Sequence, residues 1–246
     1  MALPSGWLGQ ADNFLGIDEP WCHPDQAGVY VLPAPYEHTS SYILGSDRGP
    51  SAIIEASQQV ELYDETLRYE PYREWGGVAT AATLNLDGRV DGPAVQAIQD
   101  FVQPHVGRGK FLVTLTGEHT GALGAIRAHA RNYPGMCVVQ IDAHGDLRQA
   151  YQDNPYSHAS VMARVVEDGL PLVQIGVRSI SPEEIDLIQK TPRIHTFFAA
   201  SILDPSGLYE GRAARWIPEV LAACTGPVYL TFDCDGLDAS LVPALG

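Results

Sequence analysis

The segment from 141 to 148, IDAHGDLR, places two aspartates and a histidine at alternate positions directly after the apolar run 136–139. Because a β-strand sends alternate side chains to the same face, Asp142, His144 and Asp146 are expected to converge on one side of the chain. Two carboxylates packed together repel each other, and the repulsion grows when water is excluded. The spacing therefore predicts a cation between them.

Two other apolar runs end in residues of the same kinds. The run FLVTLT is followed by 117–119, GEH, and the run VYLTF is followed by 233–235, DCD. Ligands of parallel α/β sheets bind at the C-terminal ends of the strands, so the three clusters are expected to meet at one edge. Cys234, between two aspartates, is expected to point into packing on the other face. The set predicts a metal centre with six donors: His119, Asp142, His144, Asp146, Asp233 and Asp235.

The charges of this set predict two metal ions. Two divalent cations balance the four carboxylates, whereas one cation leaves the site anionic and offers too few coordination positions for six donors. Oxygen and imidazole donors without a thiolate favour Mn²⁺. A pair of ions roughly 3.5–4 Å apart is a common hydrolytic arrangement, because it activates water near neutral pH. A single aspartate or histidine would more often be a cap or a solvated loop residue, and only the combination predicts the centre.

The elements that must position these residues are predicted from the alternation of apolar and amphipathic segments. Residues 1–28, rich in Gly, Pro and Asp, predict an N-terminal arm, and residues 29–246 predict one α/β domain. Strands are predicted at 29–32, 110–116, 137–142, 172–177, 194–198 and 228–233, with one short strand within 61–92. Helices are predicted at 50–59, 93–105, 120–131, 157–168 and 208–224, and from Pro182 after a Ser181 cap. This alternation predicts a mostly parallel sheet covered on both faces. His105 ends a helix, where an imidazolium suits the helix dipole.

Composition restricts the classes of partner. The chain has 246 residues and a net charge of −15, which disfavours nucleic acid and anionic membranes as partners. The same charge is compatible with a cationic small-molecule substrate. Neither a secretory leader nor an apolar run long enough to span a bilayer is evident, so a cytoplasmic protein is expected.

The three strand-end blocks resemble the signature motifs of the ureohydrolases, the arginase and agmatinase superfamily. The blocks are GEHT at 117–120, DAHGD at 142–146 and DCDGLD at 233–238, and the similarity extends from about residue 29 to the end. The resemblance implies an α/β fold of the three-layer α/β/α arginase type and assembly as a homotrimer or homohexamer. It also implies hydrolysis of a guanidino compound to urea and an amine, by attack of a hydroxide that bridges the two metals.

The same resemblance implies a role for each residue of the site. The implied ligands are His119 and Asp146 for one manganese ion, His144 and Asp235 for the other, and Asp142 and Asp233 as bridges. Nickel is the less favoured metal. Asp238 would orient the site without binding metal. His158 would pass a proton to the leaving amine, so His158 and Asp146 are the expected catalytic residues; the alternative for His158 is a helix-start residue bonded to the backbone.

The loop after Asp146 favours agmatinase within this superfamily. The stretch NPYSHAS at 154–160 resembles agmatinases, whereas arginases carry a longer loop that grips the α-amino and α-carboxyl groups of arginine. Arg148 is the nearest basic residue, and it is not an obvious clamp for a carboxylate. Hydrolysis of agmatine to putrescine and urea is therefore predicted. The alternatives are a sister hydrolase acting on guanidinobutyrate, guanidinopropionate or guanidine, and a truncated subunit that binds metal without catalysis.

The end of the sequence departs from the family pattern. Family members continue into a further strand and helices, and their guanidinium-binding glutamate lies in that segment. The fold is accordingly expected to lack its C-terminal part, with the anchoring acid beyond residue 246. The acyl-lysine and polyamine deacetylases share the broad fold, but they use one zinc ion and lack the six-donor set.

Overall fold

The computed structural model describes residues 3–202 and 216–242 of the chain. The chain divides into two compact units, Met1–Ala128 and His129–Gly246. The strands are β1 (Val29–Ala34), β2 (Val78–Thr80), β3 (Phe111–Thr116), β4 (Cys137–Ile141), β5 (Leu172–Val177), β6 (Ile194–Phe198) and β7 (Val228–Phe232). The α-helices are α1 (Gly49–Ser57), α2 (Pro71–Glu74), α3 (Asp91–Val102), α4 (Thr120–Asn132), α5 (Val161–Glu167), α6 (Pro182–Lys190), α7 (Ala199–Ile202) and α8 (Trp216–Ala223).

The first unit contains a three-stranded parallel sheet in the order β2-β1-β3. Val29 of β1 pairs with Val78 and with Phe111, and Ala34 pairs with Thr116 at the other end. Strands β1 and β3 therefore end at the same edge, and the segments that follow them, from 35 and from 117, leave the sheet side by side. This register positions the first predicted strand-end cluster.

The core of the first unit includes part of the predicted N-terminal arm. Ile17 and Cys22 are buried against Val31, Tyr72 and Val78. The described part of the arm has no α-helix or β-strand, in agreement with its Gly- and Pro-rich sequence, and only a short 3₁₀ turn at Phe14–Gly16. Apolar side chains from the arm nevertheless pack on the sheet, because burial does not require regular secondary structure.

The second unit contains a four-stranded parallel sheet in the order β6-β5-β4-β7. Val139 of β4 pairs with Val173 of β5 and with Leu230 of β7, so the strands stay in register toward their C-terminal ends. Helix α8 covers one face of this sheet, where Val220 packs against Cys137, Val139 and Val173. Val139 and Val173 are buried β-branched residues, which favour β-strands, and this explains why their apolar runs form strands.

The predicted α/β fold with parallel strands is confirmed, and the differences concern the division of the strands into sheets and the bounds of some helices. The seven described strands form two hydrogen-bonded sheets where a single one was expected. The predicted helix 157–168 is a 3₁₀ turn at His158–Ser160 followed by α5, and helices α2 and α7 were not predicted. Of the predicted helix 208–224, residues 208–215 lie outside the described residues. Within the described ranges, no helix combines the length and apolar character that crossing a bilayer requires.

Candidate metal centre

Asp142 and Asp146 lie on the segment that leaves β4. The Asp142 amide still donates to the Ile175 carbonyl at 3.1 Å, which continues the β4–β5 ladder by one residue. Asp146 has a φ of 50°, in the left-handed region that non-glycine residues rarely adopt, and its carbonyl accepts the Met162 amide at 2.9 Å. Both aspartates are buried, and their carboxylate oxygens lie within 4.8 Å of each other. Two buried carboxylates at this distance favour a bound cation.

A second group forms where the segments after β4 and β7 meet. Donor atoms of Asp142, His144 and Asp235 all lie within 4.8 Å of one another. His144 Nδ1 lies 2.9 Å from Asp235 Oδ2 and 3.6 Å from Asp142 Oδ1. The Ala143 amide donates to Asp235 Oδ1 at 3.0 Å, which ties the two segments together. Two strand ends that are 92 residues apart in sequence thus supply one compact set of donors.

The electrostatics of this group favour positive charge. Hydrogen bonds to Asp142 and Asp235 raise the pKa of His144 from 6.5 to about 10, against the opposing effect of burial. A proton on His144 would offset part of the carboxylate charge. A metal ion would take over this role and release the proton, because a histidine ligand must be neutral. Oxygen and imidazole donors without a thiolate fit a hard or borderline divalent cation such as Mn²⁺.

The remaining acids of the DCDGLD block bond to their own turn in the described part of the chain. Asp233 Oδ1 accepts the Asp235 amide at 3.2 Å. Asp238 is exposed and accepts the Ser240 hydroxyl at 2.6 Å and the Ser240 amide at 2.9 Å, which lowers the Asp238 pKa. The expectation that Cys234 packs away from the site is wrong: β7 ends at Phe232, and Cys234 lies exposed in the 3₁₀ turn that follows.

Several residues that hold this site were not singled out from the sequence. Gln140 Nε2 donates to Asp142 Oδ2 at 2.8 Å, and buried Glu184 Oε1 accepts the Leu147 amide at 2.9 Å. Gln140 stands two residues before Asp142, so the period-2 pattern could have identified it as a neighbour on the same face. Glu184 is 37 residues from Leu147 in sequence, and no local pattern indicates that contact.

His158 begins the 3₁₀ turn before α5. Ser157 precedes it as the cap and accepts the Ala159 amide at 3.3 Å, which accords with a helix-start position. The His158 ring packs edge-to-face on Tyr151, with ring centroids 5.8 Å apart. Arg148, on the same loop, makes an ion pair of 2.7 Å with Glu183. Its charge is therefore already offset within the second unit.

His119 belongs to the first unit, where it follows β3 and precedes α4. It is buried, as is Glu118 beside it. The Glu118 amide donates to the Tyr36 carbonyl at 2.9 Å, and its carboxylate accepts hydrogen bonds from His38 and Thr39. The end of β3 is thus bonded to the segment after β1 on the same edge of the sheet.

Comparison with known proteins identifies the family. The model of the arginase family matches residues 27–246. The N(1)-aminopropylagmatine ureohydrolase of Synechocystis sp. is 41% identical over 252 residues, which cover 100% of this chain and 79% of that protein. The crystal structure of agmatine ureohydrolase of Thermoplasma volcanium has a TM-score of 0.73 and 26% identity, over 89% of this chain and 71% of that one. Proclavaminate amidino hydrolase from Streptomyces clavuligerus has a TM-score of 0.78 and 23% identity, over 96% and 77%. The chain has an arginase-like fold and is an enzyme of the arginase family, of the agmatinase type.

Proposed function

We propose that the chain hydrolyses the guanidino group of an agmatine-type polyamine, with N(1)-aminopropylagmatine as the preferred substrate. Water is added to the guanidinium carbon, the bond to the alkyl nitrogen breaks, and the products are urea and the free amine. The observation that carries this proposal is the 41% identity, over the whole chain, to an enzyme named for that substrate. Agmatine is the second candidate, because the 154–160 loop is of the agmatinase type and the solved relative from Thermoplasma volcanium is an agmatine ureohydrolase.

The reaction would require two metal ions per chain, which we propose to be manganese. Bound there, the pair would supply Lewis-acid activation of water near neutral pH. His144 and Asp235 would hold one ion, and His119 and Asp146 the other. Asp142 and Asp233 would bridge them. The short separations among Asp142, His144 and Asp235 support this assignment, and so does the burial of Asp142 and Asp146.

The rest of the chemistry would fall to protein side chains. The leaving amine must gain a proton as its bond to carbon breaks, and His158 would deliver that proton to the amine nitrogen. An imidazole suits this step because it exchanges protons near neutral pH. Asp146 would contribute by binding its metal ion. Asp238 would stabilise the turn that carries Asp235.

The charge distribution supports an amine rather than an amino acid or carboxylic acid as substrate. Arg148, the nearest basic residue of the loop, is paired with Glu183 at 2.7 Å and packs over the Tyr151 ring at 5.7 Å. It is therefore poorly placed to bind a substrate carboxylate. The net charge of −15 also favours a polycation over guanidinobutyrate or guanidinopropionate.

A substrate panel tests the proposal. Urea release by the manganese-loaded protein would be measured for N(1)-aminopropylagmatine, agmatine, guanidinobutyrate and guanidine. A kcat/KM that is highest for the aminopropyl compound, with agmatine second, supports the proposal. Equal or higher values for the acid or for guanidine overturn the substrate assignment. Absence of urea from every compound, with metal bound, would favour a metal-binding subunit without catalysis.

Metal content is tested separately by elemental analysis. The parent protein is expected to carry two manganese ions per chain, and Asp142→Asn and Asp235→Asn to carry fewer. Asp186→Asn is the matched control, because Asp186 is an exposed carboxylate of α6 that pairs only with Lys190 at 3.3 Å among the described contacts. Assembly as a trimer or hexamer, and a cytoplasmic location, stay predictions.

A further inference from the structure

Three polar side chains form a row across the second unit's sheet, where apolar residues are the rule. Gln140 of β4 is the register partner of Gln174 of β5, and Gln174 is the register partner of Thr196 of β6. Both glutamines are fully buried, with 0% of their surface exposed. Parallel sheets of this kind are usually filled with Val, Ile and Leu. Buried amides are costly unless all their donors and acceptors are bonded, so the row needs a physical account.

Hydrogen bonds join the row in one direction. Thr196 Oγ1 donates to Gln174 Oε1 at 2.8 Å, Gln174 Nε2 donates to Gln140 Oε1 at 2.6 Å, and Gln140 Nε2 donates to Asp142 Oδ2 at 2.8 Å. The direction is fixed by chemistry, because the row ends on a carboxylate, which only accepts when ionised. Each amide must therefore present its nitrogen toward Asp142 and its oxygen toward β6. Aligned hydrogen bonds of this kind strengthen one another.

The row also holds the main chain that carries the metal donors. Gln174 Nε2 donates to the Gly145 carbonyl at 2.6 Å, and Gln140 Nε2 approaches the His144 carbonyl at 3.4 Å. The other oxygen of Asp142, Oδ1, accepts the His144 amide at 2.6 Å. Both carboxylate oxygens are thereby held by protein donors. A carboxylate fixed at both oxygens cannot rotate freely when a metal binds.

We propose that Gln140 and Gln174 are positioning residues for the metal centre, which set the orientation of the Asp142 carboxylate and of the 144–145 main chain. The inference rests on the metal site of the proposed function, but not on the substrate. Because Gln140 bonds to Asp142 directly and Thr196 is three hydrogen bonds away from it, the effect of substitutions is graded along the row. Partners that hold ligands in this way typically change metal affinity when they are replaced.

The test measures manganese affinity in variants that keep side-chain volume and remove hydrogen bonding. The Kd would be measured by titration calorimetry for the parent, Gln140→Met, Gln174→Met and Thr196→Val, together with the EPR spectrum of the bound manganese. Gln140→Met is expected to weaken binding by about 10- to 100-fold, and Thr196→Val by a smaller factor. The matched control is Gln99→Met, in which a buried glutamine of α3 is replaced in the first unit.

The unfolding temperature of the same metal-free samples separates positioning from a purely structural role. The inference is supported if Gln140→Met binds manganese more weakly than the parent. In that case Gln99→Met, destabilised to the same extent, should keep the parental Kd. A parental Kd and EPR spectrum in Gln140→Met and Thr196→Val overturn it, even if the unfolding temperature falls. Thr196→Val keeps the test decisive if the glutamine variants fail to fold. A parent protein that binds no manganese overturns both this inference and the proposed function, whereas an unexpected substrate leaves the inference intact.

Discussion

The guanidinium group of Arg178 donates hydrogen bonds to the main-chain carbonyl of Asp235 at 2.6 Å and to that of Leu237 at 3.1 Å. The Arg178 amide donates to the Ala143 carbonyl at 2.8 Å, and the Ala143 amide donates to Asp235 Oδ1. The segment after β5 therefore links the segments after β4 and β7. The turn that carries Asp235 is held by Arg178 without the arginine entering the donor set.

Replacing Arg178 should weaken metal binding. Arg178→Ala frees the 235–237 turn, so the separation between Asp235 and His144 is no longer fixed, and manganese affinity should fall by about 10-fold. Arg178→Lys should recover only part of this loss, because one ammonium group does not reproduce a planar group with several donors. Titration calorimetry with Mn²⁺ measures both. Arg193→Ala is the control, since Arg193 makes the same kind of bond, 2.8 Å to the Val166 carbonyl, elsewhere in the unit. Equal losses in both alanine variants would contradict the prediction.

Glu184 is predicted to stabilise the fold as well as the site. Its Oε1 accepts the Leu147 amide at 2.9 Å, and its Oε2 accepts the Ser181 amide at 2.8 Å and the Ser181 hydroxyl at 2.7 Å. Glu184→Ala leaves the two amides without these partners in a buried environment. The free energy of unfolding in urea should fall by about 1–3 kcal/mol. Ser181→Ala should cost about 1 kcal/mol, as loss of a helix cap does. If the loss in the Ser181→Ala/Glu184→Ala double variant equals the sum of the two single losses, the two side chains act independently. That result would contradict a contribution from their direct hydrogen bond.

The elements of the second unit were largely predictable because their signals are local. Strands β5 and β6 have the predicted bounds, and α6 begins at Pro182 after Ser181, as the cap, proline and first-turn acids indicate. The convergence of Asp142 with His144 follows from alternation along one short segment. Convergence with Asp235 required the further inference that parallel strands end at a common edge.

The supports of the site were less predictable, because they depend on register between distant strands. Gln140 and Gln174 are 34 residues apart in sequence, and each appears there only as a polar interruption of an apolar run. Gly176 has a φ of 93° at the irregularity between Ile175 and Val177, two residues before Arg178. A glycine suits that backbone conformation, but neither the bulge nor the contact of Arg178 with Asp235 is visible in the sequence.

His105 was expected as an imidazolium at a helix end, and the structure indicates the neutral form. Its ring packs edge-to-face with Trp7, Tyr30 and Phe101, and burial, assisted by the charge of Arg108, lowers its pKa from 6.5. The unfolded chain binds a proton on this residue near pH 6.5, whereas the folded chain does so only at lower pH. The contribution of His105 to stability is therefore complete above pH 6.5 and is lost as the pH falls toward the lowered pKa.

The pH dependence of unfolding tests this assignment. The free energy of unfolding would be measured in urea at pH 7.5, 6.5 and 5.5 for the parent, for His105→Gln and for His195→Gln, in which an exposed histidine is replaced. The difference between the parent and His105→Gln should shrink as the pH falls, because only the parent loses stability through protonation of residue 105 in the unfolded state. The His195→Gln variant should follow the parent. A difference that stays constant across the three pH values would contradict a lowered pKa.

Glu118 directly precedes His119, and the structure gives it a specific role in the first unit. Its Oε2 accepts the His38 amide at 2.9 Å and the Thr39 amide at 2.7 Å, while its Oε1 accepts the Thr39 hydroxyl at 2.8 Å. Glu37 accepts the Gly45 amide at 2.8 Å from the other end of the same loop. Two carboxylates thus close the loop 38–45.

Truncating the Glu118 side chain should increase hydrogen exchange in the loop 38–45 more than neutralising its charge does. Glu118→Ala removes all three bonds and should increase hydrogen exchange in 38–45, whereas Glu118→Gln keeps one acceptor oxygen and should retain most of the protection. Ligands of parallel α/β sheets bind beyond the C-terminal ends of the strands, and this loop follows β1 there. Glu118→Ala should therefore also raise the KM for urea release more than it lowers kcat. Asp64→Ala is the control, because Asp64 accepts the Thr66 amide at 2.9 Å in an exposed turn of the same unit. Faster hydrogen exchange in 38–45 with an unchanged KM would show that Glu118 stabilises the fold alone. A lower kcat with unchanged exchange would instead show that Glu118 acts on the neighbouring His119.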